Sequence, residues 1–520
     1  MRSLKINILL FCFLIYFSGC HLLKKPTKTA ADDGKIEFVF LQINDVYEIA
    51  PLEGGKAGGL ARVATIRKDL LLQNRNTLTV LAGDFLNPSL IGTLKHEGKR
   101  IKGKQMVETL NVLGLDLAAF GNHEFDLKEN ELQERLNEST FDWVSKNVKH
   151  KQNDSLSAFA KYQNGVKKVI PETYIWEVKD TDGTTAKIGV VAVTLPFNKK
   201  SYVHYDDFTV AAQEAYDELA EKCDVVVALT HLDIADDLKL AEQLPNLKLV
   251  MGGHDHHNMR HEVGNVVVAK ADANAKTAYV HKLMLDKNAQ KTNVNSILVT
   301  IDDNITEDAT TAKVVNKWNM IAERAYGDLG FEPNKLVLDT DEILEGREHI
   351  IRKQQTNLGT IVAQSMSAAY PKAACSIVNS GSIRVDDQLT GKITQFDIMR
   401  TLPFGGSILE VRMKGDLLSK IVKIGRTDNV GKGGFLQLDK VSWNEKENKA
   451  YIKDTKIDDN EYYLVAISSF LMTGGESNLG FLTEENEGVK HINRPDKEDK
   501  TNIKNDIRLA IIDYLKDKSK

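Results

Sequence analysis

Gly121-Asn122-His123-Glu124-Phe125-Asp126 follows an apolar, strand-like run over 115–120 and opens a polar, helix-like stretch. A strand that ends in Asn-His-Glu carries an amide oxygen and an imidazole to the C-terminal edge of a sheet, where α/β proteins collect their ligands. An amide is a weak neutral ligand that seldom serves alone. The hexapeptide therefore matters only if other strand ends carry metal-binding groups, and they do. Asn44-Asp45-Val46-Tyr47 follows the run 36–43, Gly83-Asp84 follows 78–82, His231 follows 225–229, and Gly252-Gly253-His254-Asp255-His256 follows 247–251.

Taken singly, each of these has an ordinary structural explanation. A strand-end aspartate is more often a turn or cap residue, His231 could be a satisfied core histidine, and the histidines at 254, 256 and 257 could line a solvated loop. Five strand ends carrying ligand types together exceed what capping requires. Carboxylate, imidazole and amide donors suit Zn, Mn, Fe, Co or Mg better than Cu(I) or an iron–sulfur cluster. Paired glycines before His254 let the backbone turn tightly enough to aim two histidines at one place. The expectation is a site for two divalent metal ions that hydrolyses phosphate esters. A cation pair generates a nucleophile near neutral pH and stabilises charge on the attacking and leaving oxygens.

The rest of the chain sets the frame. At 520 residues it exceeds one ordinary core, which predicts two domains. A net charge of -5 gives no nucleic-acid footprint. Residues 1–20 differ from the body: Arg2 and Lys5 precede an apolar run over 6–17, too short for a comfortable membrane span. That run closes in Phe17-Ser18-Gly19-Cys20, small residues directly before a cysteine, as in a signal peptide. It resembles a bacterial lipoprotein signal, which implies a lipid-anchored chain on the periplasmic or cell-surface side, with Cys20 lipidated. Residues 21–35 read as a tether. With Cys12 and Cys20 in the signal, Cys223 and Cys375 remain, and their placement in different domains predicts free thiols.

From 36 to 303 short apolar runs alternate with helical segments, which predicts a layered α/β sandwich. Val314, Val315, Trp318, Ile321, Ala322 and Ala325 share one helical stripe, which predicts a linker helix within 304–334, stopped by Gly327. A smaller α/β substrate-binding domain is expected over 335–520.

The order of first-half motifs resembles the calcineurin-type metallophosphoesterases. The closer resemblance, over nearly all of 36–520, is to the secreted bacterial and animal 5′-nucleotidase family. It is carried in the second half by TNLGTIVAQS from Thr356, NSGSIR from Asn379, LPFGGSI from Leu402 and GGFLQL from Gly433. The resemblance implies that Asp84 bridges both metals, that Asp45 and His256 hold one ion, and that Asn122, His231 and His254 hold the other. It implies attack by a hydroxide between the ions. His123 then faces the phosphate, assisting the leaving oxygen or the transition-state charge, and Asp126 orients its imidazole. Asn379 and Arg384 are implied in substrate binding, and Phe435 in stacking on a nucleobase.

Three departures from the family pattern stand out. Tyr47 occupies the place of a histidine usual two residues after the first aspartate. Its phenol could ligate, hydrogen-bond to a bound water or phosphate, or line the site without contact; the second is the expectation. Gly474-Gly475-Glu476-Ser477-Asn478 has no aromatic residue until Phe481, and Thr360 stands where relatives are often basic. Nucleoside 5′-monophosphates are the expected substrates. Sugar phosphates, cyclic nucleotides or nucleotide-sugars are the alternative, and a non-catalytic surface binding protein is a third reading.

Overall fold

The computed structural model describes residues 32–196, 200–385, 387–499 and 501–518. The lipoprotein-type signal with Cys20 lies outside the described residues, as does most of the expected tether.

The first domain stacks two six-stranded sheets. One runs Lys291–Thr300, Thr277–Asp286, Lys35–Ile43, Thr77–Ala82, Leu117–Ala119 and Asp142–Val144 in spatial order. The other runs Thr173–Lys179, Thr185–Thr194, Val225–His231, Leu249–Gly252, Val266–Lys270 and Met259–Val263. Thr77–Ala82, Leu117–Ala119, Val225–His231 and Leu249–Gly252 run parallel to both neighbours. Lys35–Ile43 is parallel to Thr77–Ala82 but antiparallel to Thr277–Asp286, and antiparallel strands close three of the four sheet edges. Side chains alternate across each pleat. Ile36, Phe38 and Phe40 point between the sheets, against Ile188, Val190 and Leu229. Val39, Leu41 and Ile43 point outward, into the cluster that includes Leu60 and Val63 of helix Leu60–Gln73. Helices thus cover both outer faces, giving the expected layered sandwich.

The linker helix spans Ala309–Asp328, with the Asp308 side chain accepting from Thr311 N–H at its start. It runs through Gly327, contrary to the expected stop, and the chain turns at Gly330, whose φ is 87°. It is anchored to the first domain: Val315, Trp318 and Ala322 are buried, and Trp318 Nε1 donates to Glu108 at 3.0 Å.

The second domain centres on a five-stranded sheet in the order Leu436–Asp439, Cys375–Asn379, Tyr462–Ser468, Ile408–Lys414 and Val489–Asn493. Helix Gly415–Arg426 packs on one face, while helices Asn357–Ala369 and Ile507–Lys518 join the large apolar cluster continuous with the first domain. Cys223 and Cys375 are both free. Among the described residues, no helix is long and apolar enough to cross a membrane.

Candidate metal centre and substrate cleft

The structure brings six of the expected donors together where the C-terminal edges of the two sheets meet. Asp45, Asp84 and Asn122 lie just beyond strands of the first sheet; His231 ends a strand of the second, with His254 and His256 just beyond its neighbour. Four of them sit in left-handed backbone: Asp45 at φ 53°, Asp84 at 56°, His254 at 82° and His256 at 58°. Such conformations cost roughly 1–3 kcal/mol each and persist only where the surroundings impose them. Close packing does so here. A Cβ added at Gly121 would lie 2.2 Å from Asp84 Oδ1, and one at Gly253 would lie 2.2 Å from the Ala82 carbonyl oxygen.

Two buried residues that the sequence reading passed over brace these turns. Glu124 accepts from the backbone N–H groups of Asp84 at 2.9 Å, Phe85 at 2.8 Å, Leu86 at 3.0 Å and Gly121 at 2.7 Å, tying two strand ends together. Lys270 donates to the carbonyls of Leu232 at 2.6 Å and Gly253 at 2.8 Å and pairs with Asp237 at 2.8 Å, which fixes the loop carrying His254. The only sequence sign of Glu124 was its place within the hexapeptide. For Lys270 it was a cation closing an otherwise apolar strand.

The donor atoms face one another. His231 Nδ1 lies 2.7 Å from the Ala82 carbonyl, which fixes the proton on that nitrogen. Its Nε2 then points at Asp84 Oδ2 and at Asn122 Oδ1, each 3.1 Å away. Burial alone would lower the pKa of this ring, but Asp84 and Asp45 hold it up to about 9. On the other side, His256 Nε2 lies 3.4 Å from Asp45 Oδ1, a buried oxygen that accepts no hydrogen bond. Tyr47 Oη sits 3.0 Å from His256 Nε2 and donates to Asp84 Oδ2 at 3.3 Å. Suitable atoms of Asp84, His231 and His254 lie within 4.8 Å of one another, a group that could hold a metal ion. Neighbouring donors around a cation with bonds of about 2.1 Å lie roughly 3 Å apart. An orphaned carboxylate oxygen and this spacing fit hard divalent ions.

His123 and Asp126 stand beside this cluster. His123 Nδ1 lies 2.8 Å from Asp126 Oδ2, and its backbone N–H donates to Asp84 Oδ1 at 2.7 Å. Burial would lower the imidazole pKa, but the charges of Asp126 and Asp84 raise it to about 9. Burial would raise Asp126, yet His123 and then Arg384 bring it to about 2. Arg384 reaches across from the second domain, 3.6 Å from Asp126. Asp126 lies in a 3₁₀ turn and does not cap the next helix, whose N-cap is Lys128.

The comparisons follow this division of the chain. A family model described as calcineurin-like phosphoesterase matches residues 38–258, and one described as the 5′-nucleotidase C-terminal domain matches 337–483. The chain belongs to the calcineurin-like phosphoesterases with a 5′-nucleotidase C-terminal domain. It is 24% identical over 528 residues to a 5′-nucleotidase of Vibrio vulnificus, covering 89% of each chain. It is 25% identical over 507 residues to the trifunctional nucleotide phosphoesterase YfkN of Bacillus subtilis, covering 88% of this chain but spanning only 33% of that relative. A 5′-nucleotidase precursor of Thermus thermophilus shares the fold at TM-score 0.65 and 21% identity, over 93% of this chain and 96% of the other. So does the sulfate thiohydrolase SoxB of the same organism, at TM-score 0.61 and 15% identity, over 92% and 94%. The family is one of metal-dependent phosphoesterases, and this chain is a hydrolase of that class.

Two cavities lie along the 5′-nucleotidase domain, and the first also borders the candidate metal donors. One, of about 470 Å³, is lined by Asp84, His123, His254 and His256 on one side and by Arg352 and Lys353 on the other. The second, of about 690 Å³, shares Arg352 and includes Arg384, Asn379, Phe404, Phe470 and Glu476. Asn379 is buried there, with Nδ2 donating to Glu476 at 2.6 Å and Oδ1 accepting from Ser382 at 2.7 Å. Phe435 requires a correction. Its ring is 1% exposed, packed in the core with the Arg426 guanidinium 4.4 Å above it, so it offers no stacking face. The exposed rings in the cavity are Phe404, at 64%, and Phe470, at 44%. Both were missed, although Phe404 lies within the LPFGGSI phrase.

Proposed function

We propose that this protein is a dinuclear-metal phosphomonoesterase acting on nucleoside 5′-monophosphates. The observation that carries the reading is the convergence of an imidazole–carboxylate pair and a six-residue donor cluster, faced by Arg384 and by a neighbouring cavity that carries two exposed aromatic rings. Asp84 would be shared between two divalent ions, with Asp45 and His256 holding one and Asn122, His231 and His254 the other. Two divalent cations, when bound, supply a water-derived nucleophile and neutralise charge on the phosphoryl oxygens. Arg384 and Arg352 hold the phosphate through their planar donor forks. His123, kept protonated at neutral pH by Asp126, donates to the departing ribose oxygen. Phe404 and Phe470 stack on the base, a contact any nucleobase can make. Export and lipid anchoring through Cys20 rest on residues 1–20 alone.

The test is a hydrolysis panel on the metal-analysed protein: AMP, UMP, a cyclic nucleotide, a sugar phosphate and p-nitrophenyl phosphate. Preference for the 5′-monophosphates, abolished by chelation and restored by Zn or Mn, supports the reading. Equal rates on sugar phosphate would remove the nucleotide, and full turnover after chelation would remove the metals.

A further inference from the structure

We propose that the cavity where the linker helix meets both domains is a binding site for an aliphatic diamine, separate from the metal-donor cluster. Its volume is about 310 Å³, far above the roughly 15 Å³ that one bound water needs. One wall comes from the first-domain stretch 48–55 and a second from Asn319, Ala322, Glu323 and Tyr326 of the linker helix. Thr394, Phe396 and Asp397 of the second domain supply a third. None of its lining residues belongs to either cavity of the substrate cleft. A ligand held here touches all three parts of the chain at once.

Charge selects the ligand. Glu48, Glu53, Glu323 and Asp397 line the cavity, and no lysine, arginine or histidine does. Glu53 pairs with Lys276 at 3.2 Å and Asp397 with Arg400 at 3.1 Å, whereas Glu48 and Glu323 form no ion pair among the described residues. Glu48 is 5% exposed, and its carboxylate accepts only from Leu90 N–H, at 3.3 Å through Oε1. Burial pushes it up to about 7, as expected of a carboxylate without a counter-ion. Tyr326 is 2% exposed, and its hydroxyl has no hydrogen-bond partner among the described residues. Burial and then the nearby Glu48 charge push that phenol up, so it stays neutral. Buried polar groups are normally partnered, and an ammonium brings both the donors and the positive charge that this pair lacks. Glu323, exposed and one helical turn from Tyr326, offers a second charge to the other end of the ligand. Leu52, Ile91, Ala322 and Phe396 give its methylene chain apolar contact. A bare metal ion fits less well. Among the described residues, only Asp84, His231 and His254 bring three ligand atoms within 4.8 Å of one another.

The full chain is titrated by calorimetry with the diamine putrescine, and with butylamine and magnesium chloride as comparisons at constant ionic strength. The expected result is uptake of about one equivalent of putrescine per chain, bound more tightly than butylamine and not displaced by magnesium. Glu48→Gln keeps an acceptor for Leu90 N–H and removes the charge, and it is expected to weaken putrescine binding about tenfold or more. Tyr326→Phe should weaken it about fivefold, the loss of one neutral hydrogen bond. Glu323→Gln, on the exposed face of the helix, should weaken putrescine about threefold and leave butylamine unchanged. Absence of putrescine uptake, or equal affinity for butylamine or magnesium, overturns the proposal. So does unchanged affinity in Glu48→Gln or, should that variant fail to fold, in Tyr326→Phe.

Discussion

The two walls of the cleft are built by different means. On the first-domain wall, every donor lies within a few residues of a strand end, and its direction is imposed by local backbone: left-handed turns at Asp45, Asp84, His254 and His256, and glycines too crowded to carry a side chain. On the second-domain wall the decisive property is which aromatic ring is exposed, and long-range packing sets that. Phe404-Gly405-Gly406 and Gly433-Gly434-Phe435 are near mirror images in sequence, yet one ring is 64% exposed and the other 1%. A site made of backbone turns is rigid and intolerant, whereas a site made of exposed rings can lose a member and keep its shape.

The harshest test of that contrast leaves every donor in place. Gly121→Ala puts a methyl group 2.2 Å from Asp84 Oδ1, so the Asp84 carboxylate must swing away. It is expected to cost as much as Asp84→Asn. Because the metal clamp supplies several kcal/mol of transition-state stabilisation, both should lower kcat/KM by about a thousandfold or more. Steady-state kinetics with metal analysis of each variant checks this, and a Gly121→Ala enzyme with full metal content and near-normal rate would show the first wall to be adaptable after all.

Next in size is the first-domain pair that Arg384 meets from the other wall. His123→Asn should lower kcat by about a thousandfold, within the range for loss of a general acid. Asp126→Asn should act more gently and through pH. With its pKa raised to about 9, His123 is protonated at neutrality and loses its proton only as pH rises through that value. Removing the Asp126 charge takes away the larger of the two supporting charges, so the basic limb of the kcat profile moves down toward the ordinary imidazole value near 6.5. A basic limb that stays put would assign it to some other group.

The same contrast explains what the sequence disclosed. The alternation of apolar runs and the strand-end donors were legible because pleat period and strand-edge placement are local rules that residues 36–43, 78–82 and 247–251 follow plainly. Glu124 and Lys270 were not, since a buried carboxylate collecting four N–H groups and a buried ammonium collecting two carbonyls look in sequence like surface charges. Gly327 was misjudged as a helix stop because a single glycine is tolerated in a helix whose buried face, with Trp318, Ala322 and Tyr326, already holds it down. Phe435 was misjudged because nothing near it in the chain announces Arg426 across its ring.

On the second wall the expected effects are smaller and fall on binding. Phe404→Ala and Phe470→Ala should each raise KM for AMP about tenfold, the loss of one base–aromatic stack, while leaving p-nitrophenyl phosphate hydrolysis little changed. KM values for both substrates measured side by side check it. Equal losses on both would mean that the rings shape the phosphate site and do not hold a base.

The smallest kinetic effect belongs to the residue whose sequence context promised most. Phe435→Leu removes part of a ring enclosed in the second-domain core and trades a larger side chain for a smaller apolar one. It is expected to destabilise by about 1 kcal/mol, a fall in Tm of a few degrees for a protein of this size. Because the ring has no face on the cavity, KM for AMP should not move. Thermal unfolding and AMP kinetics on the same preparation separate the two outcomes. A rise in KM without a fall in Tm would mean that Phe435 leaves the core to meet substrate, and that the second wall rearranges as it closes on the base.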